Sequence, residues 1–250
     1  MRRKKFVVCE MVKEISPRVL RVLKSILEGH DYNTVRLTSS ELNEVGLCYW
    51  YGNIVPQNFS EAVKWYLIAA GKRCKLAEYN LFVCYSQGKG VSMDMEKAIY
   101  WLRRSAKHND SRGQSVLAKL YYEGTYLRRN SRYFKYWHEK SIKNAFIDNE
   151  ATVLNNIGEM YLRGKSGVAV DKELAIKCLE KAAEKHYPLA YVWLIYTFAA
   201  DNDKEKAGFW VKESRKCVTT DNRIKTLLKV ARYHYEKVFN TPCPVSKSLS

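Results

Sequence analysis

Residues 85–106 read YSQGKGVSMDMEKAIYWLRRSA. Two glycines, an acidic residue, an alanine and a tryptophan stand at set distances, and the spelling returns along the chain. Tyr-x-x-Gly occurs as Tyr49 to Gly52, Tyr85 to Gly88, Tyr121 to Gly124 and Tyr161 to Gly164, with successive glycines 36, 36 and 40 residues apart. Self-similarity at this period marks stacked supersecondary units.

The register continues downstream. Asn58, Asp94 and Asn130 stand six residues after the glycine, and Asp171 stands seven after. Next come Ala62, Ala98, Phe134 and Ala175, then Trp65, Trp101, Trp137 and Cys178. A worn fifth copy reads Tyr196, Ala207, Trp210. Each position has a physical task. Asn or Asp before an apolar-periodic segment accepts a free backbone N–H of the first helical turn. Gly88 and Gly90 allow the chain to leave one helix and enter the next within a few residues. Alanine and tryptophan three apart share a helix face. The alanine admits a close neighbour, and the ring is expected to cover the join. Val45, Leu81, Leu117 and Ile157, four residues before each tyrosine, lie on the same face as its ring. No unit buries its apolar face alone, and stacked units do.

Tyr85-x-x-Gly88-x-Gly90-Val91-x-x-Asp94-x-x-Lys97-Ala98-x-x-Trp101 resembles the Sel-one-like repeat, a relative of the tetratricopeptide repeat. The first and fourth units match well, with Gly71 closing the first. The third lacks the Gly-Val pair and has Phe134 in the alanine place. The resemblance covers roughly residues 40–216. It implies an all-α, right-handed α-solenoid of four to five helix-turn-helix repeats with a groove used as an adaptor or scaffold for other proteins, and it carries over no catalytic residue.

The expected organisation is a basic segment with a capping helix in 1–39, the repeats in 40–216, a second capping helix in 217–240 and a frayed tail in 241–250. Ser16-Pro17 reads as an N-cap and first helical position, and Gly29 as the stop. In residues 223–239, Leu227, Leu228, Ala231, Tyr235 and Val238 are expected to face the core.

Composition bounds the function. No apolar run approaches the roughly 18 residues that span a bilayer. The apolar run of MRRKKFVVCE stops at Glu10, too short for a secretory signal, so the chain is expected in the cytoplasm of a bacterial cell, the bacterial setting following from the resemblance alone. The seven cysteines include no CxxC pair, which argues against a disulfide framework or a zinc site. Net charge is +17. It is uneven, because residues 97–143 carry 12 basic and 3 acidic side chains while residues 144–203 carry 6 and 9.

No hydrolase, phosphate-loop, dinucleotide or H-E-x-x-H signature occurs. His108 and His186 fall where second helices end and are expected to cap carbonyls. His30, His138 and His234 stand alone. No enzyme activity, cofactor or metal is expected. The expected function is a monomeric scaffold for another protein, an acidic one given the chain's charge. The candidate contacts are Asn80, Arg112, Lys119, Asn156 and Arg163, mostly exposed first-helix positions, with Arg103, Arg104, Arg128, Arg129 and Arg132 of the basic block. The alternative is nucleic acid, because tyrosines interleave with those arginines and the two can stack on bases and contact phosphates.

Overall fold

The structure is a computed structural model that describes residues 15–29, 37–217, 219 and 221–241. The basic segment 1–14, His30 and the tail 242–250 lie outside the described residues. Twelve α-helices and no strand occur among those described, an all-α repeat solenoid. The chain divides into two compact units, one spanning 12–144 and the other consisting chiefly of 145–250.

The first unit holds α1 (Pro17–Leu27) and the helix pairs α2 (Ser39–Tyr51) with α3 (Phe59–Gly71) and α4 (Lys75–Gln87) with α5 (Met95–Lys107). It also holds α6 (Ser111–Glu123) and most of α7 (Ser131–Asp148). The second holds α8 (Ala151–Arg163) with α9 (Lys172–Glu184), α10 (Pro188–Ala200) with α11 (Lys204–Glu213), and α12 (Asn222–Phe239).

Every first helix of a pair (α2, α4, α6, α8, α10) is 13 residues long, so its positions superpose by count. The turns that follow explain the glycines. Gly52, Gly88, Gly124 and Gly164 take left-handed φ of 71°, 64°, 75° and 61° as C-caps. Asn58, Asp94, Asn130 and Asp171 then accept the N–H three residues on, at 2.9–3.1 Å. The residue two after each glycine is also left-handed in all four units, although only one is a glycine: Ile54, Gly90, Tyr126 and Ser166. At Gly90 a Cβ would run into the Phe59 carbonyl. The other three accept the backbone strain instead.

The core is built by the expected Val45, Leu81, Leu117 and Ile157, and by Ala62, Ala98, Ala175 and Ala207, all of them buried. The tryptophans differ from expectation. Trp65 is buried (4% exposed), but Trp101 lies at the margin of that core, and Trp137 and Trp210 are likewise half-buried. The deepest position is one residue further on, where Tyr66, Leu102, Leu179 and Val211 are at most 1% exposed. One helical residue turns about 100°, which carries this position from the margin to the centre of the buried stripe.

Three smaller expectations also change. Gly71 stays inside α3, and Arg73 makes the left-handed turn. In α12, Leu228, Ala231 and Tyr235 are buried, whereas Leu227 and Val238 are exposed. In the fifth pair the residue equivalent to the repeat tyrosine is Phe198, eleventh in α10 and buried, not Tyr196.

Trp65→Ala is expected to lower unfolding free energy by about 3–5 kcal/mol, and Trp101→Ala by only about 1–2 kcal/mol. Chemical denaturation of the two variants checks the order, and the reverse order would disprove this register.

Candidate functional site

The second, sixth, ninth and thirteenth residues of each first helix share one face. None of these residues is buried. In the first unit this face is knitted by polar contacts. Asn80, expected to be exposed, is half-buried and donates from Nδ2 to Asn43 Oδ1 at 2.9 Å. The Arg112 guanidinium lies 4.5 Å over the Tyr79 ring and grips Asp110 through Nε (3.2 Å) and Nη2 (2.9 Å). Burial raises the Tyr51 hydroxyl pKa, and the Arg112 charge pulls it part of the way back.

In the second unit the equivalent face forms an apolar cleft of about 570 Å³ between Leu189, Val192, Trp193, Tyr196 and Leu227, with Glu159 and Arg163 also in its wall. Arg163 lies 4.5 Å over Trp193 and pairs with Glu159 at 3.3 Å. Asn156 is exposed on the same helix face. Sequence reasoning missed Trp193, Tyr196 and Leu227. Counting 13-residue helices from Pro188 would have placed the first two on this face.

The basic block separates into two populations. Arg104 and Arg112 are structural. Glu78 is fully buried in α4; Arg104 Nε donates to it at 2.9 Å and His108 Nδ1 lies 2.6 Å from its other oxygen. Arg104 Nη2 also reaches the Ala70 carbonyl that ends α3, at 3.4 Å. The two histidines therefore do not cap carbonyls directly. His108 meets Glu78, and His186 Nδ1 lies 3.0 Å from the Tyr191 hydroxyl, which donates its proton to the Ala183 carbonyl at 3.0 Å. Lys119 is exposed, with Glu123 at 3.7 Å, a surface pair of little energy.

Arg103, Arg128, Arg129 and Arg132 form the second population. All four are exposed, and no carboxylate among the described residues pairs with them. Three of them (Arg103, Arg128 and Arg129) line one depression of about 560 Å³ with Tyr121, Ser131 and Tyr133. The tyrosine rings sit 5.0 Å apart. Arg129 lies 5.5 Å over Tyr122, whose ring is 5.4 Å from Phe134, itself stacked on His138 at 5.4 Å.

Three buried thiols, those of Cys48, Cys84 and Cys178, are poor nucleophiles. Burial pushes the pKa of Cys48 up to about 11 and of Cys84 and Cys178 up to about 12, and the neutral thiol is unreactive. Among the described residues no cluster of three His, Cys, Asp or Glu could hold a metal ion, and no helix is long and apolar enough to cross a membrane.

The sequence matches the Sel1 repeat profile over residues 42–72, 75–110, 111–145 and 152–187. Among solved structures, the chain is similar to a Sel1 repeat protein from Oxalobacter formigenes, with a TM-score of 0.63, 22% identity, and coverage of 87% of this chain and 94% of that one. It is also similar to a protective antigen of uropathogenic Escherichia coli, with a TM-score of 0.58, 20% identity, and coverage of 89% and 44%. An immunity protein from Pseudomonas aeruginosa gives 0.52 at 14% identity, with coverage of 87% and 91%. At these identities the likeness shows the fold.

Arg104→Ala should lower stability by about 2–4 kcal/mol, because Glu78 stays buried with its main partner gone. Arg103→Ala, one residue away, should change it by less than about 0.5 kcal/mol. Thermal melts of both variants test the division of the block. A pH series tests His138, whose pKa is depressed by burial. The unfolded chain takes up the proton first, so stability is complete above the ordinary histidine value of about 6.5 and falls as pH drops through it. His138→Phe should flatten this acid limb; an unchanged limb would place its cause elsewhere.

Proposed function

The chain belongs to the Sel1 repeat family, whose members generally mediate protein–protein interaction, and from that premise we propose that it is a non-catalytic scaffold for an acidic partner protein. The partner contacts the exposed arginines of the middle repeats. The observation that carries this reading is the sorting of the basic block. Its other two arginines, Arg104 and Arg112, are taken up by buried carboxylates, while Arg103, Arg128, Arg129 and Arg132 face solvent with no carboxylate of the described residues paired to them. Such a cluster raises the local potential and attracts an oppositely charged surface. Arginine and tyrosine together are also the residues enriched where proteins meet. Lys119 on the first-helix face of the first unit, and Asn156 with Arg163 on that of the second, offer further contacts. The protein is proposed to act as a cytoplasmic monomer.

The test is capture of partners from native lysate near physiological salt, with and without nuclease, by the wild-type chain and by Arg128→Glu with Arg129→Glu. The expected result is an acidic protein that survives nuclease and is lost at least tenfold on the double variant, whose melting temperature is unchanged. Recovery that depends on nucleic acid and falls steeply with salt, by counterion release, would replace this reading with the nucleic-acid one.

A further inference from the structure

The depression between α5, α6 and the start of α7 has a chemistry narrower than general basicity. Arg103 reaches it from α5, and Arg128 and Arg129 from the loop after Gly124. Its remaining wall includes the Tyr121 and Tyr133 rings and the Ser131 side. Three arginines line one depression of about 560 Å³, and no carboxylate of the described residues pairs with them. The Arg129 guanidinium lies 5.5 Å over the Tyr122 ring, within cation–π reach.

A single carboxylate carries one charge and fills one guanidinium fork. A phosphoryl group carries close to two charges at neutral pH and three acceptor oxygens that point in different directions. Three arginines around one depression suit the second and over-supply the first. We infer that this depression binds a phosphorylated side chain of the partner protein. The inference rests on the reading of the middle repeats as the partner's seat. Arginine is required rather than any cation, because the planar fork makes two parallel N–H···O bonds where an ammonium offers a point charge.

The probes are three fluorescein-labelled peptide pools, each with four degenerate positions on both sides of a fixed residue. The fixed residue is phosphoserine in one pool, glutamate in the second and serine in the third. Binding is followed by fluorescence anisotropy against the full chain. The phosphoserine pool is expected to bind at least tenfold tighter than either twin. Arg103→Lys and the pair Arg128→Met with Arg129→Met are expected to remove that preference. Arg132→Met, which lies outside the cavity lining, should keep it and reports the effect of losing one positive charge alone.

Equal binding of the phosphoserine and glutamate pools, both lost in the double variant, would overturn the phosphoryl inference and leave the acidic-partner reading standing. Absence of binding by any pool would overturn the inference, while lysate capture by the same surface still decides the broader reading. Preference for a single-stranded RNA oligonucleotide over the phosphoserine pool, abolished by the same variants, would overturn both. Circular dichroism and melting temperatures of the variants establish that each is folded, as expected for exposed side chains.

Discussion

The stacking of these helices depends on what happens to the last carbonyls of each second helix. An α-helix leaves its final C=O groups without intrahelical partners, and here those ends are buried by the next pair. After α3, α5 and α9 the chain answers with the fourth residue of the following first helix. Gln114 donates to the Ala106 carbonyl at 3.0 Å, and Tyr191 donates to the Ala183 carbonyl at 3.0 Å. Glu78 acts one step removed, by holding the Arg104 guanidinium that reaches Ala70. At the end of α11, Arg232 from α12 donates to the Ser214 carbonyl at 3.1 Å. Different side chains meet one geometric need, the pairing of buried backbone acceptors. Each ties a helix end to the pair that follows it within its own unit.

This explains why the fold was legible and this device was not. The repeat announces itself through residues with one physical solution. A C-cap with left-handed φ favours glycine, and an N-cap favours Asn or Asp, so both recur in spelling. The fourth position has several solutions, namely a glutamate with a borrowed arginine, a glutamine and a tyrosine, so no spelling recurs. The loop position shared by Ile54, Gly90, Tyr126 and Ser166 is similar: the conformation repeats and the residue does not. Tyr196 misled because tyrosine is also a good surface residue, and only the 13-residue helix count separates it from Phe198.

The basic block shows the limit of charge counting. Density along the chain says how many cations are near one another in sequence. It does not say which of them face a carboxylate that arrives from another helix. Arg103 and Arg104 are neighbours in sequence, yet a turn of about 100° on the helix sends the second to buried Glu78 and the first to solvent. Glu78, some 26 residues away, decides the difference. That information is tertiary, and no local pattern carries it.

The third repeat joins these strands. It departs from the others in both core and surface, and the departures are physically connected. Phe134 replaces the close-packing alanine, and His138 replaces the buried Tyr66, Leu102, Leu179 and Val211 of other units. Phe134 stacks on His138 and lies tilted against Tyr122, and the Arg129 guanidinium lies 5.5 Å over the Tyr122 ring. A buried histidine among aromatic rings is a poorer core than leucine, since its neutral form must be kept against proton uptake. The ring contacts instead run from the core at His138 through Phe134 and Tyr122 to Arg129 at the surface. A side chain held from beneath loses less rotamer freedom when a partner arrives than one that moves freely. On the proposed function, the departures from the repeat pattern exchange apolar packing for ring contacts beneath an exposed arginine surface, the balance expected where a fold gives up local consistency for a site.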